Sequence, residues 1–150
     1  MRKLSVIICC YNERATIAEV IAATKAVELG PNWDREILVI DNFSTDGTRE
    51  ILQELDDPEI RTFFHKQNMG KGMSIRTGIA NMSGDYMIIQ DADSEYDPAE
   101  HVLFCEKADD TNAAAIFGSR VLGGNVQYLS LIHISEPTRL NSTSRMPSSA

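Results

Sequence analysis

The feature that most constrains this chain is a change of hydrophobic period, repeated along its first 118 residues. Short continuous apolar runs, rich in Val and Ile, alternate with segments whose apolar residues recur three and four positions apart. A continuous run suits a strand buried on both faces, whereas the longer period suits a helix covering one of them. Strands are predicted over 4–10, 36–40, 60–64, 86–90 and 113–117. Helices are predicted where Ile17, Val20, Ile21 and Val27, then Ile51, Leu52 and Leu55, then Ile75, Ile79 and Met82 mark one face. Thr24 is a polar interruption of the first face. Gly30-Pro31 stops the first helix, Asp46 is placed to cap the second, and 67–72 is a loop before the third. Asp97-Pro98 offers a capping carboxylate followed by the ring favoured at a first helical turn.

Strand and helix in strict alternation build right-handed crossovers and a parallel sheet. The expected product is an α/β, three-layer doubly wound domain with a mostly parallel sheet. If the first three strands wind one way, the fourth returns to the other side of the first. The crevice then lies beyond the carboxyl ends of strands one and four. Topology alone therefore brings Tyr11-Asn12-Glu13 beside Asp91-Ala92-Asp93.

With 150 residues and 43% hydrophobic content, the chain can bury one core. Its net charge of −8 argues against nucleic acid as a partner, because phosphate contacts require a basic stripe. Between Asp85 and Asp110 nine carboxylates meet one base, Lys107. Such a segment repels phosphate unless a cation stands between them. Cys9, Cys10 and Cys105 suit neither a disulfide scaffold nor zinc and point to a reducing compartment. No apolar run is long enough for a transmembrane segment, and no signal peptide is visible, so a cytoplasmic location is expected. His65, His101 and His133 show no ligand spacing, and no G-x-S-x-G elbow supports a serine triad. Residues 125–150 are expected to be an irregular or artefactual tail, because 130–139 reads like translated adapter DNA and 135–150 keeps no period.

Asp91 and Asp93 end a buried strand. Residues two apart face the same way, so these carboxylates, with Glu95, would converge on one side. A divalent cation relieves their repulsion, and magnesium takes one or two carboxylates together with substrate phosphates. The bland alternative is a solvated acidic loop. Asp41 ends the second strand similarly and could accept hydrogen bonds from a base or ribose, or could simply form an Asx turn. Tyr11 offers an aromatic face and Glu13 an acceptor, though Glu13 could equally complement a helix dipole. Gly70-Lys71-Gly72 precedes a helix and suits an anion, or is only a flexible turn. Arg120 could fork onto a phosphate or lie on the surface.

Together these segments resemble the family 2 glycosyltransferases of the GT-A, Rossmann-like fold, most closely the polyprenyl-phosphate (dolichol-phosphate type) branch. The matching stretches are SVIICCYNE at 5–13, ILVIDNFSTDGT at 37–48, NMGKGMSIRTGI at 68–79, MIIQDADSEYDP at 87–98 and GSR at 118–120. The resemblance implies a nucleotide-sugar-binding GT-A domain over 1–124, with the family's C-terminal half missing. It implies a nucleotide-diphosphate sugar donor (GDP- or UDP-sugar), with a lipid phosphate as one acceptor. Tyr11, Glu13, Val39 and Asp41 match positions that hold base and ribose. Asp91, Ala92 and Asp93 match the metal and diphosphate motif, Glu95 falls where the branch has Gln at the metal, and Arg120 matches an arginine near the phosphates. Mg2+ or Mn2+ is the implied cofactor, and peripheral attachment at the cytoplasmic membrane face is the implied setting. Cys9 stands in place of a common Pro, and Asn42 in place of the second Asp after strand two. Two other readings stay open: a nucleotide-binding piece that transfers nothing, and a sugar nucleotidyltransferase. The second wants a Gly-rich basic loop after strand one, where Cys9-Cys10-Tyr11-Asn12-Glu13 has no glycine.

Overall fold

The computed structural model describes residues 1–117 and 130–133. In chain order the elements are β1 (Arg2–Cys10), α1 (Ile17–Ala26), β2 (Trp33–Asp41), α2 (Thr48–Gln53), β3 (Ile60–Phe64), α3 (Lys71–Asn81) and β4 (Tyr86–Asp91). A 3₁₀ turn (Pro98–Glu100) leads into α4 (His101–Thr111), followed by β5 (Ala115–Phe117) and β6 (Ser130–His133). The sheet runs in the order β3-β2-β1-β4-β6-β5. β1 is parallel to both β2 and β4, and β2 to β3. The winding therefore reverses between β1 and β4, as the alternation predicts. Cys9 pairs with Asp91 and Cys10 with Asp41, so three strands end level at the switch point.

Alternate residues of β1 and β2 feed opposite sides of the sheet. Leu4, Val6, Ile8, Ile37 and Val39 pack on one side with Ile17, Val20 and Ile21 of α1, Leu52 of α2 and Phe104, Cys105 and Ala108 of α4. Ile7, Leu38, Ile40 and Met87 form the other side, beneath α3. Each fully buried aliphatic side chain contributes about 1.5–3 kcal/mol, so these strands carry the stability that fixes their tips.

Four sequence expectations need correction. The face of α3 turned to the sheet carries Ser74 and Gly78, while Ile75 is half-buried and Ile79 is exposed. The cause is close approach: a Cβ on Gly78 would lie 2.6 Å from Cγ2 of Ile7. Val27 and Leu55 lie beyond the ends of α1 and α2. The second strand, predicted over 36–40, begins three residues earlier at Trp33, which packs on Tyr86 with ring centroids 5.2 Å apart and donates to Asp109 Oδ2 at 3.1 Å. Finally, 130–133 falls in the stretch expected to be irregular, yet it forms β6, antiparallel between β4 and β5. The exposed edge of β4 supplies backbone partners for it, and edge pairing needs no long hydrophobic period.

Candidate functional site

A cleft of about 350 Å³ opens beyond the carboxyl ends of β1, β2 and β4. The end of β1 contributes Cys9, Cys10, Tyr11 and Glu13, and the end of β2 contributes Asn42. Asp91, Ala92 and Asp93 come from the end of β4, and Asn68, Gly70, Lys71 and Ser74 from the entry to α3. Tyr11 and Glu13 thus meet Asp91-Ala92-Asp93 in one concavity, as the sequence predicts, while Asn12 between them is not in its wall.

The turn after β1 is held by the turn after β2. Asn12 adopts φ 56°, and its amide donates to Ser44 Oγ at 2.9 Å. The Glu13 amide donates to Thr48 Oγ1 at 2.9 Å and the Arg14 amide to Asp46 Oδ2 at 3.1 Å. Asn12 answers by accepting the Thr45 amide at 2.8 Å. The polar residues of 44–48 therefore fix the backbone that presents Tyr11, which is 46% exposed, and Glu13, whose Oε2 accepts the Thr16 hydroxyl. Asp46 also accepts the Thr48 amide at 3.0 Å in an Asx turn ahead of α2, but it is not the helix cap: the N-cap position is Gly47, with no side-chain cap hydrogen bond.

Val39 and Asp41 do not line this cleft. Val39 is wholly buried in the core. Asp41 is also fully buried; it accepts the Ser44 amide at 3.2 Å and Arg49 Nε at 2.8 Å. A buried carboxylate needs such a partner, and here the guanidinium supplies it. Arg49 in turn lies 5.2 Å from the Phe64 ring centroid and donates to the His65 carbonyl at 2.6 Å. Asp41 thus anchors α2 and β3 behind the cleft wall. Arg120 lies outside the described residues.

Lys71 and Asp91 form an ion pair across the cleft. Burial pushes the Lys71 ammonium toward deprotonation, but the hydrogen bond and charge of Asp91 outweigh it and hold its pKa above the ordinary value. Burial pushes the Cys9 thiol up to about 12, and Cys10 rises for the same reason. Both cysteines therefore line the cleft as neutral thiols rather than nucleophiles.

The loop after β4 is stapled from below. Gln90 Nε2 donates to the Tyr96 carbonyl at 3.0 Å, and Gln90 Oε1 faces His101 Nε2 at 3.0 Å. His101 is completely buried, and desolvation lowers its pKa to about 4, so it sits neutral. Asp93 Oδ1 accepts the Glu95 amide at 3.2 Å. Glu95 itself is exposed and not part of the cleft wall, and among the described residues no three His, Cys, Asp or Glu side chains form a cluster able to hold a metal ion. Of the three carboxylates expected to converge, Asp91 and Asp93 line the cleft and Glu95 does not. The cause is the loop's turn at Asp93, which breaks the two-residue alternation of extended chain. Carboxylate oxygens are the hard donors that Mg2+ or Mn2+ takes, so Asp91 and Asp93 are the cleft residues that could hold such an ion.

Solved structures with this architecture include TarS from S. aureus, with a TM-score of 0.64 and 22% identity over 75% of this chain and 34% of that one. The mannosyltransferase PcManGT from Pyrobaculum calidifontis, in complex with GDP-Man and Mn2+, has a TM-score of 0.65 and 22% identity over 76% of this chain and 34% of that one. The fold is the GT-A fold. The family model "Glycosyl transferase family 2" matches residues 5–146, and the chain belongs to that family. Curated relatives include the undecaprenyl-phosphate 4-deoxy-4-formamido-L-arabinose transferase of Salmonella paratyphi A, 35% identical over 73% of this chain and 35% of that protein. The corresponding protein of Salmonella paratyphi B is 34% identical over the same shares. The chain thus spans about a third of the length of these relatives. Among the described residues no helix is long and apolar enough to cross a membrane.

Proposed function

We propose that this segment is the donor-binding part of an inverting glycosyltransferase that moves a sugar from a GDP- or UDP-sugar to a polyprenyl phosphate. The observation that carries the reading is the placement of Asp91, Asp93 and Lys71 in one cleft at the switch point of the sheet. Tyr11 and Glu13, on the β1 wall, are assigned to the base and ribose. Lys71 is assigned to the diphosphate together with Arg120. Mg2+ or Mn2+ on Asp91 and Asp93 would neutralise the charge that grows on the leaving diphosphate. Lys71 exchanges its carboxylate partner for a phosphate oxygen as the donor enters. An acceptor that is already a phosphate anion needs little help from a base, so no catalytic base is assigned here. The undecaprenyl-phosphate transferases among the relatives support the lipid acceptor, and the GDP-Man and Mn2+ bound by a structural neighbour support the donor class and the metal. A lipid-phosphate acceptor would bring the enzyme to a membrane surface, and in this reading that is the cytoplasmic face.

The test is sugar transfer by a full-length protein carrying this segment, from UDP- and GDP-sugars to polyprenyl phosphate, with and without Mg2+ or Mn2+. Metal-dependent transfer that Asp93→Ala abolishes is the expected result. Transfer unchanged in Asp93→Ala would refute the assignment.

A further inference from the structure

Behind the wall of the cleft lies His65, only 7% exposed and without any ligand spacing in the sequence. Its backbone is fixed at both ends: its amide donates to the Asp41 carbonyl at 2.9 Å, and its carbonyl accepts Arg49. Its ring bridges two elements. Nδ1 lies 3.0 Å from Asn42 Oδ1, and Nε2 lies 2.9 Å from Thr77 Oγ1 on α3. Asn42 Oδ1 also accepts the Met69 amide at 2.9 Å, while Asn42 Nδ2 donates to Asn68 Oδ1 at 2.8 Å. Asn68 Oδ1 then accepts the Gly70 amide at 3.0 Å. Backbone amides can only donate, so both side-chain atoms they reach are oxygens, and the orientation of both Asn groups follows. His65 Nδ1 must therefore carry the proton shared with Asn42.

The result is one connected series from the end of β3, through the end of β2, to the backbone immediately before Lys71. Gly70 takes φ 81°, a conformation that side chains rarely adopt, so the loop's path depends on these attachments. Asn42, Asn68, Gly70 and Lys71 all line the cleft, and His65 touches the first of them from behind.

We propose that His65 is a positioning residue for diphosphate recognition: through Asn42 it sets the 66–70 loop so that Lys71 faces Asp91 and the phosphates of a bound nucleotide. The inference rests on the nucleotide-sugar reading above and adds to it a residue that never touches the ligand. Asn42, standing where the family has a carboxylate, is the link that passes the constraint on.

The experiment uses the chain with UDP and GDP as probes in the presence of Mn2+, uridine and guanosine as phosphate-free controls, and three variants. His65→Asn keeps a nitrogen near Nδ1, His65→Gln keeps one near Nε2, and His65→Phe keeps neither. Gln and Phe are expected to lower diphosphate affinity about tenfold, the size of one lost hydrogen bond, while Asn retains it and nucleoside affinity is unchanged. Amide hydrogen exchange at Met69 and Gly70 provides a readout that needs no nucleotide; it should rise about tenfold in the Gln and Phe variants only. Equal exchange and equal diphosphate affinity in all folded variants would overturn the proposal, as would an Asn variant as weak as the Gln variant. Failure of the wild-type chain to bind UDP or GDP, with exchange still responding, would instead count against the nucleotide-sugar reading and confine His65 to holding the loop.

Discussion

Lys71 Nζ is bound to Oδ1 of Asp91, so the cation of the cleft rests on one of the two carboxylates assigned to the metal. Their side chains are 57% and 23% exposed, a setting in which an ion pair contributes about 0.2–1 kcal/mol. Lys71→Met should therefore raise affinity for Mn2+ alone by no more than about fivefold, because a competing cation is gone. The same variant should weaken Mn2+-dependent UDP or GDP binding about tenfold, because a charge-assisted phosphate contact is lost. Calorimetry with the metal alone and then with nucleotide separates the two effects. Movement of both affinities in the same direction would contradict this role for Lys71.

Two glycines of α3 should respond oppositely to alanine. At Gly72 a Cβ meets nothing within 4 Å, so Gly72→Ala gains helix propensity and should stabilise by up to about 1 kcal/mol. At Gly78 the Cβ would meet three atoms of Ile7 at 2.6, 2.9 and 3.0 Å, and Ile7 is fully buried with no room to turn. Overpacking of about 1–3 kcal/mol then outweighs the propensity gain. Urea denaturation of the two variants checks both signs.

Glu36 is a nearly buried carboxylate whose Oε1 accepts the Ser5 hydroxyl at 2.6 Å and the Ser83 and Gly84 amides at 2.5 and 3.1 Å. Burial alone would raise its pKa, but the hydrogen bonds from Ser5 and Ser83 and the charge of Lys3 outweigh it and hold it below the ordinary 4.5. A depressed folded pKa contributes stability that is full above the unfolded value and is lost as pH falls through the folded one. The wild-type advantage over Glu36→Gln should be about 1–2 kcal/mol at pH 7 and shrink below pH 4.5. Denaturant midpoints across that range measure it.

His101 gives a different acid limb. Its folded pKa of about 4 lies below the ordinary 6.5, so the unfolded chain binds the extra proton first. Stability should fall as pH drops from 6.5 to about 4, by at most about 1.4 kcal/mol per pH unit, and this contribution should level off below. In His101→Gln that slope should disappear. An unchanged slope would mean that His101 is not held neutral.

The winding of the sheet was legible because buried parallel strands read as continuous apolar runs, and the switch point follows from chain order. The meeting of Tyr11, Glu13, Lys71, Asp91 and Asp93 in one cleft was legible because each sits at a strand tip or helix entry. Asp41 lies behind the cleft wall because a strand's last residue reads alike whether it faces the cleft or the core, and Val39, expected near the site only from the family resemblance, lies in the core. Asp41's partner, Arg49, stands eight positions away with nothing in its spacing to mark the pair. Ser74 and Gly78 were missed because a helix that approaches a sheet closely buries small residues, which leave no hydrophobic signal. His65 and Asn42 were unreadable as a pair, since their contact joins the ends of two different strands.

In the proposed function, Asp91 and Asp93 hold a divalent cation that in turn holds a nucleotide diphosphate. The most direct measurement is calorimetric binding of UDP and GDP to this chain, with Mn2+ and with chelator, in the wild type and in Asp91→Asn and Asp93→Asn. Binding of one nucleotide that requires Mn2+ and falls at least about tenfold in each variant is the predicted result. Nucleotide binding equally strong with chelator, or undiminished in both variants, would contradict it.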